Sequence, residues 1–343
     1  MTGAAGPEFV VLTGFLGTGK TTLLRDFLER PDTADTAVIV NEVGEIGLDG
    51  AILRESGADA PMVMLSNGCI CCQAGSDLAL TVDALLAAER PTDSGPLRRI
   101  ILETSGLSKP GSILRQLASL ADYRLRLTVV ATFDATRGTD SAAFEEAVSQ
   151  WAAAHRIVVT KVDAVADEGL ARAKADIEAL NPLAEIVATA DRPEAVAAAF
   201  APLARALPMP VLPRVAAGAA HPRIAVRLAR PATVLDYDDL AAWLDNLAGA
   251  LGDRLLRLKG LVRVAQSTRP ILVQSVGTAF SIPRPFGEPD SATPLFLIVI
   301  ARDLEDAELD AVRPTDIFAF SSWAEPADMP RAGSLPSAVV EWI

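Results

Sequence analysis

The sequence predicts an α/β chain, a parallel sheet with helices on both faces, followed by a smaller C-terminal α+β domain. Three observations carry this. Continuous Val/Ile/Leu runs alternate with amphipathic stretches over residues 1–207, as expected of strands buried on both faces between crossover helices. A glycine-rich segment at 14–21 joins the first such run to the first helical stretch. Prolines at 208, 210, 213 and 222 then break the alternation, so 208–222 reads as a linker and 223–343 as a second domain.

In chain order, EFVVLTG (8–14) is a buried strand that leads into a helix over 20–29. TAVIVN (36–41), RRIILETSG (98–106), RLTVVATFDA (126–135) and HRIVVTKVDA (155–164) supply the second to fifth strands, and AEIVATA (184–190) a sixth. GSILRQLASLAD (111–122), SAAFEEAVSQWAAA (141–154) and DEGLARAKADIEAL (167–180) have the helical period between them. Past the linker, RIAVRLARP (223–231), RLLRLKGLVRV (254–264), PILVQSVGTAF (270–280) and PLFLIVIA (294–301) read as strands. YDDLAAWLDNLAGAL (237–251) and EDAELDAV (305–312) read as helices.

Composition narrows the function classes. Half of the 343 residues are apolar, enough to bury sizeable cores. Net charge is -13 and spread along the chain, a field that repels nucleic acid and anionic membranes, so neither is an expected partner. The first residues lack a basic start and a long apolar stretch, and no signal peptide is expected. The three cysteines, Cys69, Cys71 and Cys72, form one cluster that cannot staple distant loops, which fits a reducing, cytoplasmic setting.

Residues Gly14–Thr21, GFLGTGKT, fit G-x-x-x-x-G-K-[ST] between a strand and a helix, the phosphate-binding loop of P-loop NTPases. Gly14, Gly17 and Gly19 let the backbone wrap a phosphate, and the amides through Thr18, Lys20, Thr21 and Thr22 face it at a helix N-terminus. Lys20 is expected to reach the β- and γ-phosphates and the Thr21 hydroxyl to bind Mg²⁺. Thr160, Lys161 and Asp163, in TKVD after the fifth strand, fit a guanine reader. The Asp163 carboxylate can accept the N1–H and 2-amino hydrogens that adenine lacks, and the Lys161 stem can lie along the base. Glu103, ending the third strand, is placed to help hold Mg²⁺ or its water, and Gly106 to sense the γ-phosphate.

These motifs in this order resemble the CobW family of SIMIBI-class GTPases, over nearly the whole chain. GFLGTGKTTLL resembles its Walker A segment, NEVGEIGLD its switch-region motif, SNGCICC its C-x-C-C hallmark, and ETSGL and TKVD its Walker B-type and guanine motifs. LLRLKGLVRV and QSVG resemble its C-terminal domain, more loosely. The family includes cobalt and zinc metallochaperones and nitrile hydratase activators. Two features depart from it: the interdomain region carries one histidine, His221, in place of a histidine-rich tract, and SKP follows ETSGL where an acid before the proline is common.

Cys69 and Cys71 share a face of an extended segment, and a turn could bring Cys72 to join them. Three thiolates suit Zn²⁺, Co²⁺ or Cu⁺ and leave a fourth position open, as a delivery site requires. Glu42 and Glu45 are candidate carboxylates for the transition metal, for Mg²⁺ or for the attacking water, and the water-orienting role is open between Glu42 and Glu103. A structural zinc site, a redox pair and inert cysteines are the competing readings. His155 and His221 read as structural or surface residues.

The expectation is a Mg²⁺-dependent GTPase that binds Zn²⁺ or Co²⁺ at Cys69, Cys71 and Cys72 and couples this to GTP hydrolysis. Its implied partners are GTP, the metal ion and a client metalloprotein, with a homodimer as one oligomeric state. The alternatives are an activator of a client metalloenzyme with a structural cysteine motif, and a non-catalytic zinc store or thiol sensor.

Overall fold

The computed structural model describes residues 6–31, 33, 35–41, 62–65, 76–88, 95–117, 120, 123–203, 223–286 and 295–322. They fall into two units, each with its own sheet.

The first unit runs β1 (Glu8–Gly14), α1 (Lys20–Leu28), β2 (Thr36–Asn41), β3 (Met62–Leu65), α2 (Ser76–Ala87), β4 (Arg99–Glu103), α3 (Pro110–Gln116), β5 (Arg126–Asp134), α4 (Glu145–Ala153), β6 (Arg156–Thr160), α5 (Asp167–Leu180), β7 (Glu185–Val187) and α6 (Arg192–Ala199). Its strands are parallel, in the order β3-β2-β4-β1-β5-β6-β7. β1 is therefore central, and β1, β2, β5 and β6 are buried nearly throughout. That burial is why they read as unbroken apolar runs without alternation. On one face, Leu23, Leu24, Phe27 and Leu28 of α1 and Val196 and Ala199 of α6 pack with Val10, Val38, Ile101, Val130 and Val158.

The expected sheet and its order along the chain are present, with differences in detail. β3 and α2 come from a stretch with no expected elements, and α6 was not foreseen. Four residues are too few to show a period, and half of α6 is alanine. The stretch 141–154 is not one helix. A 3₁₀ turn over Gly138–Ala143 ends at Phe144, which is extended and stacks on Phe15 at 4.8 Å, and α4 starts only at Glu145. Of 111–122, the α-helix covers the part to Gln116, with Pro110 in its first turn.

The second unit contains β8 (Ile224–Pro231), α7 (Tyr237–Leu251), β9 (Leu255–Val262), β10 (Ile271–Val276), β11 (Ala279–Phe280), β12 (Arg284–Pro285), β13 (Phe296–Arg302), α8 (Asp306–Asp310) and β14 (Phe318–Ser322). The antiparallel order is β11-β10-β9-β13-β8-β14, with β12 paired to β10. The expected strand at 270–280 is a hairpin, because Gly277 takes a left-handed φ of 56° and turns the chain. β14 was not foreseen. The Asp236 side chain caps α7 by accepting from the Asp238 amide, and Leu240, Trp243, Leu244, Leu247 and Leu251 form its buried stripe. They meet Leu258, Val262, Val273, Leu297 and Val299 in one core, where burial of each large side chain is worth about 1.5–3 kcal/mol. The linker residues 208–222, His221 included, lie outside the described residues.

Candidate functional site

The glycine-rich loop leaves the carboxyl end of β1, so neighbouring strands present their ends on both of its sides. β4 and β2 lie on one side and β5 and β6 on the other. Three backbone positions hold it open: Gly14, Gly17 and Gly19 have φ of 147°, 74° and 92°. A Cβ on Gly14 would lie 2.0 Å from Thr132 Oγ1, so that glycine is also required by close packing. Gly19 caps α1 without a side-chain bond, and the first turn carries no acidic residue, which leaves its positive end available to an anion.

Thr18 braces the loop from within. Its buried hydroxyl donates to Phe15 O at 2.7 Å and lies 2.6 Å from Thr132 Oγ1. The Thr160 hydroxyl, from β6, donates to Thr18 O at 2.9 Å and Phe133 O at 3.2 Å. Lys20 folds back over the loop and donates to Gly14 O at 2.8 Å and Phe15 O at 3.3 Å. Thr21 donates to Glu103 Oε1 at 2.6 Å across 82 positions of sequence. Glu103 is buried at the end of β4, in register with Leu12 of β1 and Val40 of β2. Gly17, Gly19, Lys20, Thr21, Thr22, Asn41, Glu103 and Gly106 thus share the wall of one cavity of about 400 Å³.

Gly106 approaches the loop so closely that a Cβ there would lie 2.9 Å from Leu16 N. Gln150 of α4, fully buried, holds the segment by donating to Gly106 O and Ser108 O, both at 2.9 Å. The Trp151 indole N–H donates to Thr132 O at 3.2 Å, tying the same helix to β5. The sequence reading missed Gln150, although an amide on the buried stripe of Ala147, Val148 and Trp151 is a signal of a polar task.

On the opposite side of β1, Lys161 has a left-handed φ of 55° and donates through Nζ to Asp134 Oδ2 at 2.5 Å. Burial alone would push the Asp134 carboxyl up. The bonds from Lys161 and from the Thr136 amide and hydroxyl outweigh it and hold the pKa below its ordinary value. Asp163 follows in an exposed 3₁₀ turn, Val162–Ala164. Arg137 reaches Leu16 O at 3.2 Å and Asp134 at 3.7 Å, linking the two segments; neither Asp134 nor Arg137 was singled out in the sequence.

Glu42, Glu45, Cys69, Cys71 and Cys72 lie outside the described residues, and among those described no three His, Cys, Asp or Glu side chains converge to hold a metal. The buried His155 accepts the Val129 amide on Nδ1 at 3.0 Å, a structural bond. No helix among the described residues is long and apolar enough to cross a membrane.

Residues 8–188 match the family described as CobW/HypB/UreG, nucleotide-binding domain, and residues 225–312 match the cobalamin synthesis protein CobW C-terminal domain. A protein of Pseudomonas aeruginosa named zinc chaperone CobW is 30% identical over 339 residues, spanning 87% of this chain and 88% of that one. A protein of the same name from Sinorhizobium sp is 40% identical over 123 residues, 35% of this chain and 33% of its own length. Among solved structures, the Zn(II)-bound YjiA GTPase from E. coli aligns with a TM-score of 0.64 at 21% identity, over 90% of this chain and 98% of that one.

Proposed function

Since the chain belongs to the CobW/HypB/UreG family of nucleotide-binding proteins, we propose that it is a Mg²⁺-dependent GTPase whose nucleotide state governs a thiolate site for Zn²⁺ or Co²⁺. The observation that carries the catalytic half is the Thr21–Glu103 hydrogen bond beside Lys20 in one cavity. A hydroxyl and a carboxylate are the hard oxygen donors that Mg²⁺ takes. Thr21 would hold the ion and Glu103 one of its waters, and the bound ion would withdraw charge from the β- and γ-phosphate oxygens.

The remaining work falls to this chain's own groups. Lys20 exchanges its loop carbonyls for phosphate oxygens, and the amides of residues 17–22 neutralise the charge that develops as water attacks the γ-phosphate in line. Asp163 selects guanine, and the Lys161–Asp134 bond fixes the turn from which it projects. Gly106, held by Gln150, reports the γ-phosphate to the segment that follows. With Glu103 engaged by Thr21, Glu42 is the better candidate to orient the attacking water.

The metal half rests on the Cys69, Cys71 and Cys72 motif and on the zinc-chaperone names of the relatives. Cys69, Cys71 and Cys72 bind the ion, with Glu42 or Glu45 completing its shell, and a client metalloprotein receives it in the cytoplasm, where thiols stay reduced. The test is phosphate release from GTP with ATP as competitor, followed by transfer of ⁶⁵Zn to an apo-client. GTP hydrolysis that ATP does not inhibit, with nucleotide-dependent transfer, is expected. Hydrolysis without transfer would favour an activator with a structural cysteine motif. Absence of hydrolysis would leave a nucleotide-holding thiol store.

A further inference from the structure

In the cavity wall, the side chain of Asn41 has polar atoms with no hydrogen-bond partner among the described residues. Asn41, the last residue of β2, is 2% exposed, and both its Oδ1 and its Nδ2 are buried without a hydrogen-bond partner. Leaving such buried groups without a partner is destabilising. The strand does not require the amide, since Ala37 and Ile39, on the same side of β2 by alternation, are apolar and buried. Ser108 Oγ, Gln150 Oε1 and Ser275 Oγ are also buried and unbonded, but those residues are not in the wall of the cavity.

The surroundings of Asn41 indicate its ligand. Register sets Val40 beside Glu103, and Asn41 lies one position further toward the carboxyl edge. The cavity it lines is shared with Lys20 and Thr21, on the side of β1 opposite the Lys161 turn. A ligand there must supply an acceptor for an amide N–H and a donor for an amide oxygen, in a place that already gathers a lysine and a phosphate loop. A terminal phosphate oxygen and a water bound next to it meet both requirements.

We propose that Asn41 is a triphosphate-reading residue: Nδ2 donates to a γ-phosphate oxygen, Oδ1 accepts from an ordered water beside Glu103, and a nucleoside diphosphate leaves both unmade. The proposal rests on the nucleotide reading above. In the nucleotide-free chain Asn41 is a cost, and the triphosphate removes it. Being neutral, the amide adds no repulsion toward a phosphate, as an aspartate would.

The test uses the full chain and the variants Asn41→Leu and Asn41→Asp. GDP and a non-hydrolysable GTP analogue are titrated by calorimetry with Mg²⁺, and melting of the nucleotide-free proteins is recorded. For Asn41→Leu, the analogue should bind roughly 10- to 100-fold more weakly, the scale of hydrogen bonds to a charged group. GDP should bind within about 2-fold of wild type, and the nucleotide-free variant should melt no lower than wild type. Asn41→Asp should lose at least as much affinity for the analogue. Equal losses for GDP and the analogue, or a lowered melting temperature, would assign Asn41 a structural role and overturn the proposal, as would unchanged affinity for both. If the wild-type chain itself binds no analogue, the GTPase reading fails first, and this inference with it.

Discussion

Lys20 spends its ammonium on the carbonyls of Gly14 and Phe15. Those bonds keep a buried cation satisfied and the loop in its open shape, at the expense of a contact that a phosphate would make better. Lys20→Ala should therefore leave the fold intact and lower GTP turnover at least ~10²-fold, the scale of losing one contact to developing charge; full activity in that variant would rule out this loop as the active site. Thr21→Ala removes the hydroxyl bonded to Glu103 and should chiefly raise the Mg²⁺ concentration needed for half-maximal turnover. Asp163 stands apart from this cluster, exposed in its turn, as a base reader must be. Asp163→Asn should weaken GTP and shift preference toward xanthine nucleotides, whose 2-oxo group suits an amide donor. The wild type should prefer GTP over ATP by ~10³-fold or more, and a competition titration giving equal affinities would sink the assignment.

Elements are legible in the sequence where burial imposes a pattern, either a continuous apolar run or a helical stripe. β1, β2, β5 and β6 are buried nearly throughout and read as apolar runs; α7 shows a clear stripe. β3, β12 and the alanine-rich α6 offer too few side chains to carry one. The site divides in the same way. Lys20, Thr21 and Glu103, which share one cavity, are legible in the sequence because local motifs specify them. Gln150, Thr132 and Asp134 act through partners that only the sheet order brings near, and the same order sets Asn41 in the wall of the cavity.

β9 carries another feature hidden from periodicity. Lys259 faces Gln274 and Ile298 across its neighbours, with the buried Arg257 two residues before it. Burial first, and then Arg257, push the Lys259 pKa from 10.5 down to about 7. The folded chain gives up this proton near pH 7, whereas the unfolded chain keeps it to about 10.5. The unfolded state thus binds more protons over that interval, and stability rises with pH there. From pH 6.5 to 8.5 the gain should reach up to about 2 kcal/mol. Lys259→Met should be more stable than wild type at pH 6.5, and the difference should shrink by pH 8.5. Parallel melting curves for the two proteins across that range would refute the linkage.

At the scale of the molecule, the sheet order sets side by side the ends of the two strands that precede Glu42 and the three cysteines in sequence. Asn41 and Leu65 are register partners at the carboxyl ends of β2 and β3. Glu42 follows the first by one peptide bond, and Cys69 follows the second by four residues. A change that the γ-phosphate imposes at the end of β2 therefore has a short route to both sets of candidate metal ligands, one peptide bond to Glu42 and, across the Asn41–Leu65 pair, the four residues from Leu65 to Cys69. Mg²⁺ and GTP together should tighten Zn²⁺ or Co²⁺ at Cys69, Cys71 and Cys72 by roughly 5- to 150-fold over GDP, the usual range of allosteric coupling. Linkage requires the metal to tighten Mg²⁺–GTP by the same factor, although turnover need not follow that symmetry. The measurement is a metal titration against a competing chelator, first with GDP and then with a non-hydrolysable GTP analogue. Cys71→Ser should lose most of the nucleotide-dependent increment. Asn41→Leu should reduce it while leaving the affinity measured with GDP unchanged, because Asn41 lies in the cavity wall next to Glu42 and is not a thiol ligand. Identical metal affinity in the two nucleotide states would falsify the switch and leave a structural zinc site as the better account of the three cysteines.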